Sequence, residues 1–382
     1  MNYEEIVCDL CGHNDLEIIW KAPHSEVQSV VCRSCGLAFL SPRLDESGTR
    51  SMYARYSQSY PLSYLLNPAN NYWQAALDRS AFISSHVESG RLLEVGCSYG
   101  HFLNCMKERG FEVTGIEPSA ESIGLAATHW GVENIHHGVF EDVNLPSEGF
   151  ELITFFHVLE HVRSPMTLLK RAHELLVDGG ILYLEVPNAD HLPPTVMEYL
   201  YMVTCQHLFT FGTDTMKSLL AASGFEILVC KNHPILPVYA SNMRVVARKI
   251  ETRATPTQHF EVSREQMTRY HKGIDELGLS FRKQVDQWLK AGKKIAIYGG
   301  GLHTQAVLEW TQIGDAVALI VDDDADKWGC YLAGVPIVSF AQLLESDVDA
   351  VLVSSLGAEQ VMYEKLDTLA DRGVERCRIY GS

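Results

Sequence analysis

Apolar positions follow two rhythms along this chain, and the changes between them mark out its elements. From Arg91 onward, short apolar runs alternate with stretches whose apolar residues recur at three- and four-residue steps. The first rhythm fits buried strands and the second amphipathic helices. Strands are predicted at 92–95, 112–116, 152–156, 181–186, 226–230 and 243–247, and helices from 101 through 106, at 165–176 and at 213–222. Such alternation predicts an α/β fold with a doubly wound, mostly parallel sheet. Upstream, residues 42–90 begin rich in Tyr, Ser and Asn and turn helical from about 72 to 87, as a connecting segment and first helix would.

Beyond Glu251 the pattern lengthens. Met267, Tyr270, Ile274, Leu277, Phe281, Val285 and Trp288 form one apolar stripe between 251 and 294, which predicts an amphipathic helix linking two domains. At Lys294 a second, smaller alternating unit begins, with strands expected at 295–298, 316–321 and 350–354. The expected layout is therefore a small module over 1–41, an α/β domain over 42–250, a linking helix over 251–291 and a second Rossmann-like α/β domain over 292–382.

Composition adds exclusions. The apolar fraction of 46% supports ordinary folded cores, and 31 basic against 48 acidic side chains, a net charge of −17, disfavours binding to a nucleic-acid backbone. No run of eighteen apolar residues occurs and the first residues lack a signal-peptide pattern, so no membrane association and a cytoplasmic location are the expectation. The chain has ten cysteines, and four of them, Cys8, Cys11, Cys32 and Cys35, form two Cys-x-x-Cys-Gly knuckles. That spacing predicts a zinc ribbon with one structural Zn(2+) in a closed tetrahedral site, against the alternative of reduced free thiols. Cys97, Cys105, Cys205, Cys230, Cys330 and Cys377 show no such spacing and are expected to be buried small hydrophobes.

The chemistry is concentrated in two glycine-bearing turns. In the first, the predicted strand 92–95 carries Glu94 and feeds Gly96-Cys97-Ser98-Tyr99-Gly100, where glycines allow a sharp turn and a close backbone approach. Glu117 closes the next strand, placed to accept hydrogen bonds from a ribose diol. Ser98 stands where such loops often have glycine. Phe140-Glu141-Asp142 follows the expected third strand, and Phe156-His157-Val158-Leu159-Glu160-His161-Val162 follows the fourth.

Over 92–186 these motifs resemble class I S-adenosylmethionine-dependent methyltransferases, and the whole layout resembles the NDP-sugar C-methyltransferase family. The resemblance implies S-adenosyl-L-methionine as cofactor and a nucleotide-linked sugar, or a related glycan precursor, as the small-molecule acceptor. It places Glu94 and Gly96 at the methionine end of the cofactor, Gly100 in the same turn, Glu117 on the ribose, Glu141 or Asp142 beside adenine, and His157 near the methionine carboxylate or sulfonium. The family's candidate base is a His in a Tyr-x-Glu-His pattern, matched here by His207, while Thr204 and Gln206 depart from the pattern. An imidazole pKa of about 6.5 suits a general base. Structural roles for His207 and His161 are the alternative.

The second turn, Gly299-Gly300-Gly301-Leu302-His303-Thr304, precedes Asp322-Asp323-Asp324 and resembles a dinucleotide fingerprint with Thr304 for its third glycine. Gly299, Gly301 and Asp322 are the candidate contacts for the substrate's nucleotide. Two competing functions share these features: an NAD-dependent oxidoreductase using the C-terminal domain, and a non-catalytic zinc-ribbon binding protein on a methyltransferase scaffold.

Overall fold

The computed structural model describes residues 2–22, 26–49, 62–191, 206–233, 242–301, 303–304, 307–308, 313–355 and 358–380. Their contacts divide into two compact units. One contains the described residues of 1–18, 29–191 and 205–266, and the other those of 19–28 and 267–382.

The N-terminal strands are short: β1 (Tyr3–Glu4), β2 (Leu16–Lys21), β3 (Gln28–Cys32), β4 (Ala38–Leu40) and β5 (Arg43–Leu44). The α/β region supplies β6 (Arg91–Val95), β7 (Glu112–Glu117), β8 (Ile135–His137), β9 (Phe150–Phe156), β10 (Leu176–Pro187), β11 (Phe209–Thr210), β12 (Phe225–His233) and β13 (Asn242–Lys249). The main sheet runs β12-β13-β10-β9-β6-β7-β8, and β13 is antiparallel to both of its neighbours. Its central strands are buried on both faces, which is why they read as mostly apolar runs: Leu92, Leu93, Leu152, Ile153 and Leu184 have essentially no exposed surface. Helices Asn71–Ser84, His101–Glu108, Ala120–Trp130, Pro165–Leu175 and Thr213–Ser223 accompany it. The helix Ala120–Trp130 and strand β8 were not legible in the apolar pattern, since the helix is built largely of small residues and the strand of only three.

A second sheet in this region has the order β11-β4-β3-β2, so the strand that follows His207 pairs with the Cys-bearing hairpin. Phe209 lies opposite Phe39 and Thr210 opposite Ala38. Asp9, between the two Cys of the first knuckle, caps the helix Pro165–Leu175, its carboxylate accepting from Ser164 Oγ at 2.6 Å and from the Met166 N–H at 2.8 Å. The side chains of Arg43 and Arg163 both bind Glu4.

In the second unit, β14 (Ile295–Tyr298), β15 (Val317–Val321), β16 (Tyr331–Leu332), β17 (Val335–Val338), β18 (Ala350–Val353) and β19 (Glu375–Arg378) order as β16-β17-β15-β14-β18-β19. Only the β16–β17 pair is antiparallel. The long helix spans Phe260–Lys290. It starts at Phe260 rather than at the expected boundary of 251, with Pro256 disfavouring helical backbone at the residue before it, and it stops before Gly292, whose φ of +70° is left-handed. Tyr270, Ile274, Phe281, Val285 and Trp288 are buried as the stripe requires, whereas Leu279 is exposed; the side chain of Leu277 lies outside the described set.

His271, on this helix, stacks on Trp20 with ring centroids 4.8 Å apart, and Trp20 donates to Asp275 at 3.1 Å. Both ring nitrogens of His271 are buried without a hydrogen-bond partner among the described residues, and burial lowers its pKa to about 3. Because the unfolded imidazole takes up its proton near pH 6.5, the unfolded state binds more protons below that pH and stability is lost as the pH falls from about 6.5 toward 3. Denaturant titrations across this range are expected to show a shallower pH dependence for His271→Phe than for the wild type. Identical slopes would show that His271 is not held neutral.

Candidate functional site

The main sheet reverses its strand order at β6, with β7 on one side and β9 on the other, and the crevice beyond the carboxyl ends of these strands is where an open α/β sheet receives a ligand. Glu94, Gly96, Gly100, Glu117 and His157 all lie at or just beyond these strand ends. Gly96 has φ +73°, and a Cβ there would meet Val158 Cγ2 at 2.9 Å; at Gly100, φ +75°, it would meet Ala126 Cβ at 2.8 Å. Neither position tolerates a side chain. Ser98, in the place where glycine is common, adopts a left-handed φ of 47°.

Two acids face this turn. Glu117 accepts the Ser98 N–H and the Ser119 N–H, both at 2.9 Å, so its carboxylate is held by the loop it would serve. Burial raises its pKa against the pull of these two bonds. Glu94 is fully enclosed, burial raises its pKa well above the usual carboxylate range, and its Oε2 has no hydrogen-bond partner among the described residues. An orphaned buried carboxylate oxygen beside a glycine cradle fits a ligand that brings its own donor, such as an amino acid ammonium. Glu141 and Asp142 are exposed in the loop after β8.

Behind the crevice sits a charge network that no local sequence pattern announced. Glu185, with no exposed surface, accepts from Arg79 and from Arg244, the latter at 3.2 and 3.0 Å. Arg244 also binds Asp78 at 2.6 Å. His157 places Nε2 3.6 Å from Glu185 and Nδ1 3.2 Å from Glu160. Burial by itself would lower the His157 pKa, but the two carboxylates outweigh it and raise the value to about 9, so the ring is an imidazolium at neutral pH. The φ of His157 is 54°, a left-handed conformation held by its N–H bond to the Glu185 carbonyl at 2.8 Å and by these ion pairs. The one available signal was a lone acid, Glu185, inside an otherwise apolar strand.

His207 lies beside this network. It is buried, its ring meets that of His161 edge-on at 4.6 Å, and burial lowers its pKa to about 3. The ordinary imidazole value expected from sequence is therefore corrected: enclosure next to a second imidazole penalises the charged form. His161 Nδ1 donates to the Gln206 carbonyl at 2.9 Å, and the Leu208 N–H donates to the Glu160 carbonyl at 2.7 Å. Thr204 and Cys205 lie outside the described residues.

The four knuckle cysteines converge. One sulfur from each lies within 4.8 Å of the others, with Cys8 and Cys35 3.4 Å apart and Cys11 and Cys32 3.5 Å apart. Thiolates about 2.3 Å from a tetrahedral zinc stand about 3.8 Å apart, so the set fits that ion. Each knuckle closes by the same turn, Gly12 N–H to Cys8 carbonyl and Gly36 N–H to Cys32 carbonyl, both 2.8 Å. Of the other cysteines, Cys97 and Cys105 are buried as expected, Cys230 and Cys377 are half-buried, and Cys330 is exposed in the turn before β16; Cys205 is not described.

In the C-terminal unit, Gly299 (φ +116°) is pressed against the Ser354 carbonyl, where a Cβ would come within 2.4 Å. The Gly300 N–H donates to Asp322 Oδ2 at 2.7 Å, and Asp322 also accepts from the Asp324 N–H and from Lys327 Nζ, so its carboxylate is occupied by its own turn. Thr304, in place of the third glycine, is fully buried and bonds Ser354 Oγ at 2.7 Å. At Gly301 nothing among the described residues lies within 4 Å of the point where a Cβ would stand.

Residues 67–229 match a family model described as a methyltransferase domain, and residues 239–377 match one described as a C-methyltransferase C-terminal domain. The chain contains a class I S-adenosylmethionine-dependent methyltransferase domain. Among curated proteins this domain is similar to the ubiquinone biosynthesis O-methyltransferase of Caulobacter vibrioides, 32% identical over 119 residues, which cover 30% of this chain and 47% of that one. The enzyme of the same name from Haemophilus ducreyi is 30% identical over 141 residues, covering 34% and 56%. The chain thus spans about half the length of the curated relatives it matches. A solved S-adenosylmethionine-dependent methyltransferase from Mesorhizobium loti aligns with 47% of this chain and 99% of its own, at 17% identity and a TM-score of 0.40. Among the described residues no helix is long and apolar enough to cross a membrane.

For this methyltransferase domain, Glu117→Ala is expected to weaken S-adenosylhomocysteine binding by about 2 kcal/mol, the worth of a charged acceptor on ribose hydroxyls. Calorimetry reads this directly, and an unchanged dissociation constant would move the cofactor elsewhere.

Proposed function

We propose that this chain transfers a methyl group from S-adenosyl-L-methionine to a carbon of a nucleotide-linked sugar. The observation that carries the reading is the pairing of two family matches on one chain: a methyltransferase domain followed by a C-methyltransferase C-terminal domain. Glu94, Gly96 and Gly100 hold the methionine end and the turn around it, Glu117 holds the ribose, and Glu141 or Asp142 meets the adenine. His157 serves the methionine carboxylate rather than the sulfonium, because a ring that stays an imidazolium up to about pH 9 attracts an anion and repels a cation. Gly299, Gly301 and Asp322 are the candidate contacts for the acceptor's nucleotide, with Asp322 exchanging its bond to Gly300 for one to the ligand. His207 is the candidate proton acceptor; it is neutral at physiological pH, and its low basicity requires an acceptor that is acidified in the site. The Cys8, Cys11, Cys32 and Cys35 set holds a structural zinc.

A panel of nucleotide sugars incubated with methyl-labelled S-adenosylmethionine is expected to yield label on a sugar carbon. Label on oxygen, or none with any sugar, would sink this reading. His207→Ala is expected to lower turnover about 100-fold with cofactor affinity nearly intact. For the knuckles, one equivalent of zinc is expected in protein purified without added metal, with loss on Cys32→Ser; less than half an equivalent in the wild type would remove zinc from the structure.

A further inference from the structure

We infer that Glu160, His161 and His207 form a binding site for a divalent transition-metal ion, separate from the four-cysteine set. One ligand atom from each of the three lies within 4.8 Å of the other two. Ligands about 2.1 Å from a first-row ion stand about 3 to 4 Å apart, so a contraction of about an ångström completes the set.

The parts are prearranged for this. His161 donates from Nδ1 to the Gln206 carbonyl, which leaves the Nε2 lone pair, 3.9 Å from Glu160 Oε1, as the ligand atom. Glu160 is 1% exposed and its Oε2 has no hydrogen-bond partner among the described residues, an arrangement that costs free energy until a cation or donor arrives. Its Oε1 is held by His157 Nδ1, the outer-shell support that metal carboxylates characteristically have. The two chain segments that contribute ligands are joined by backbone bonds, Leu208 and Phe209 N–H to the Glu160 carbonyl at 2.7 and 3.2 Å, so the site does not depend on the ion for its assembly.

Two imidazoles and one carboxylate suit zinc, iron(II), cobalt or manganese and disfavour calcium, and three protein ligands leave coordination positions open, as in catalytic rather than structural sites. His161 is partly exposed, with 24% of its side chain accessible, while His207 and Glu160 are enclosed. The open positions would take an oxygen of the methyl acceptor, a hydroxyl or a carbonyl, and polarise it. This last role rests on the methyl-transfer reading; the existence of the site does not. With the ion bound His207 is its ligand, and the proton-acceptor role assigned above belongs to the chain without the ion.

Manganese tests the site, because it binds divalent-metal sites more weakly than zinc and leaves a zinc-filled thiolate set undisturbed. The full chain, without an affinity tag and with its zinc in place, is titrated with Mn2+ while free Mn2+ is followed by electron paramagnetic resonance. One saturable Mn2+ per chain is expected, with affinity at least tenfold lower in Glu160→Gln and in His207→Asn and with zinc content unchanged in both. The same titration with Co2+ should give d–d absorption without a thiolate charge-transfer band. Absence of saturable Mn2+ and Co2+ binding, or equal affinity in the wild type and both variants with unaltered circular dichroism, overturns the inference. S-adenosylhomocysteine calorimetry separates the two readings: metal binding without it supports the site alone, and S-adenosylhomocysteine binding without metal defeats only the site.

Discussion

Everything at the cofactor crevice leans on one buried carboxylate. Glu185 has no solvent to stabilise its charge, and taking such a group out of water costs several kcal/mol unless partners replace the lost hydration. Arg79 and Arg244 supply that replacement, from a helix and from the antiparallel strand β13, and His157 adds a third positive group. The resulting network brings the helix Asn71–Ser84, β10, β13 and the turn after β9 to one point. It also fixes His157 in a left-handed backbone conformation that an isolated histidine rarely adopts. Removing Glu185 would leave Arg79, Arg244 and His157 short of a counter-charge in the interior, next to the loop that carries Glu160 and His161.

A second constraint comes from the N-terminal module. β4 follows Cys35 after Gly36 and Leu37, and it pairs with β11, which begins two residues beyond His207. The Leu40 N–H donates to the Leu208 carbonyl at 2.9 Å, extending the ladder to the residue next to the histidine. Together with the bonds from Leu208 and Phe209 to Glu160, this clamps the His207 segment between the Cys-bearing hairpin and the post-β9 turn. The four converging cysteines of the knuckles stand next to this clamp, at the base of the β3–β4 hairpin.

The strands that line the crevice were legible because a strand buried on both faces is mostly apolar, and 92–95, 152–156 and 181–186 each carry a single polar residue, Glu94, Thr154 and Glu185, within an apolar run. The convergence of Cys8, Cys11, Cys32 and Cys35 was legible because each Cys-x-x-Cys-Gly turn is a local pattern repeated in the sequence. Glu185 was not, since its partners Arg79 and Arg244 are remote in sequence and no local pattern pairs them. The state of His207 was equally hidden: its residue type and approximate place could be read, but its low basicity arises from enclosure and from His161, both products of the tertiary fold. The pairing of β11 with β4 escaped because two- and three-residue strands carry too little pattern to register.

That pairing also bears on how the chain acquires its structure during synthesis. The β3–β4 hairpin can close as soon as it emerges, yet the outer edge of β4 has no partner until Phe209 is made, after most of the large sheet has already left the ribosome. For that interval Ala38, Phe39 and Leu40, which end buried, present an apolar strand edge of the kind that recruits other chains. Closing the free edge of β4 is therefore a late, non-local event that waits on residues far along the chain.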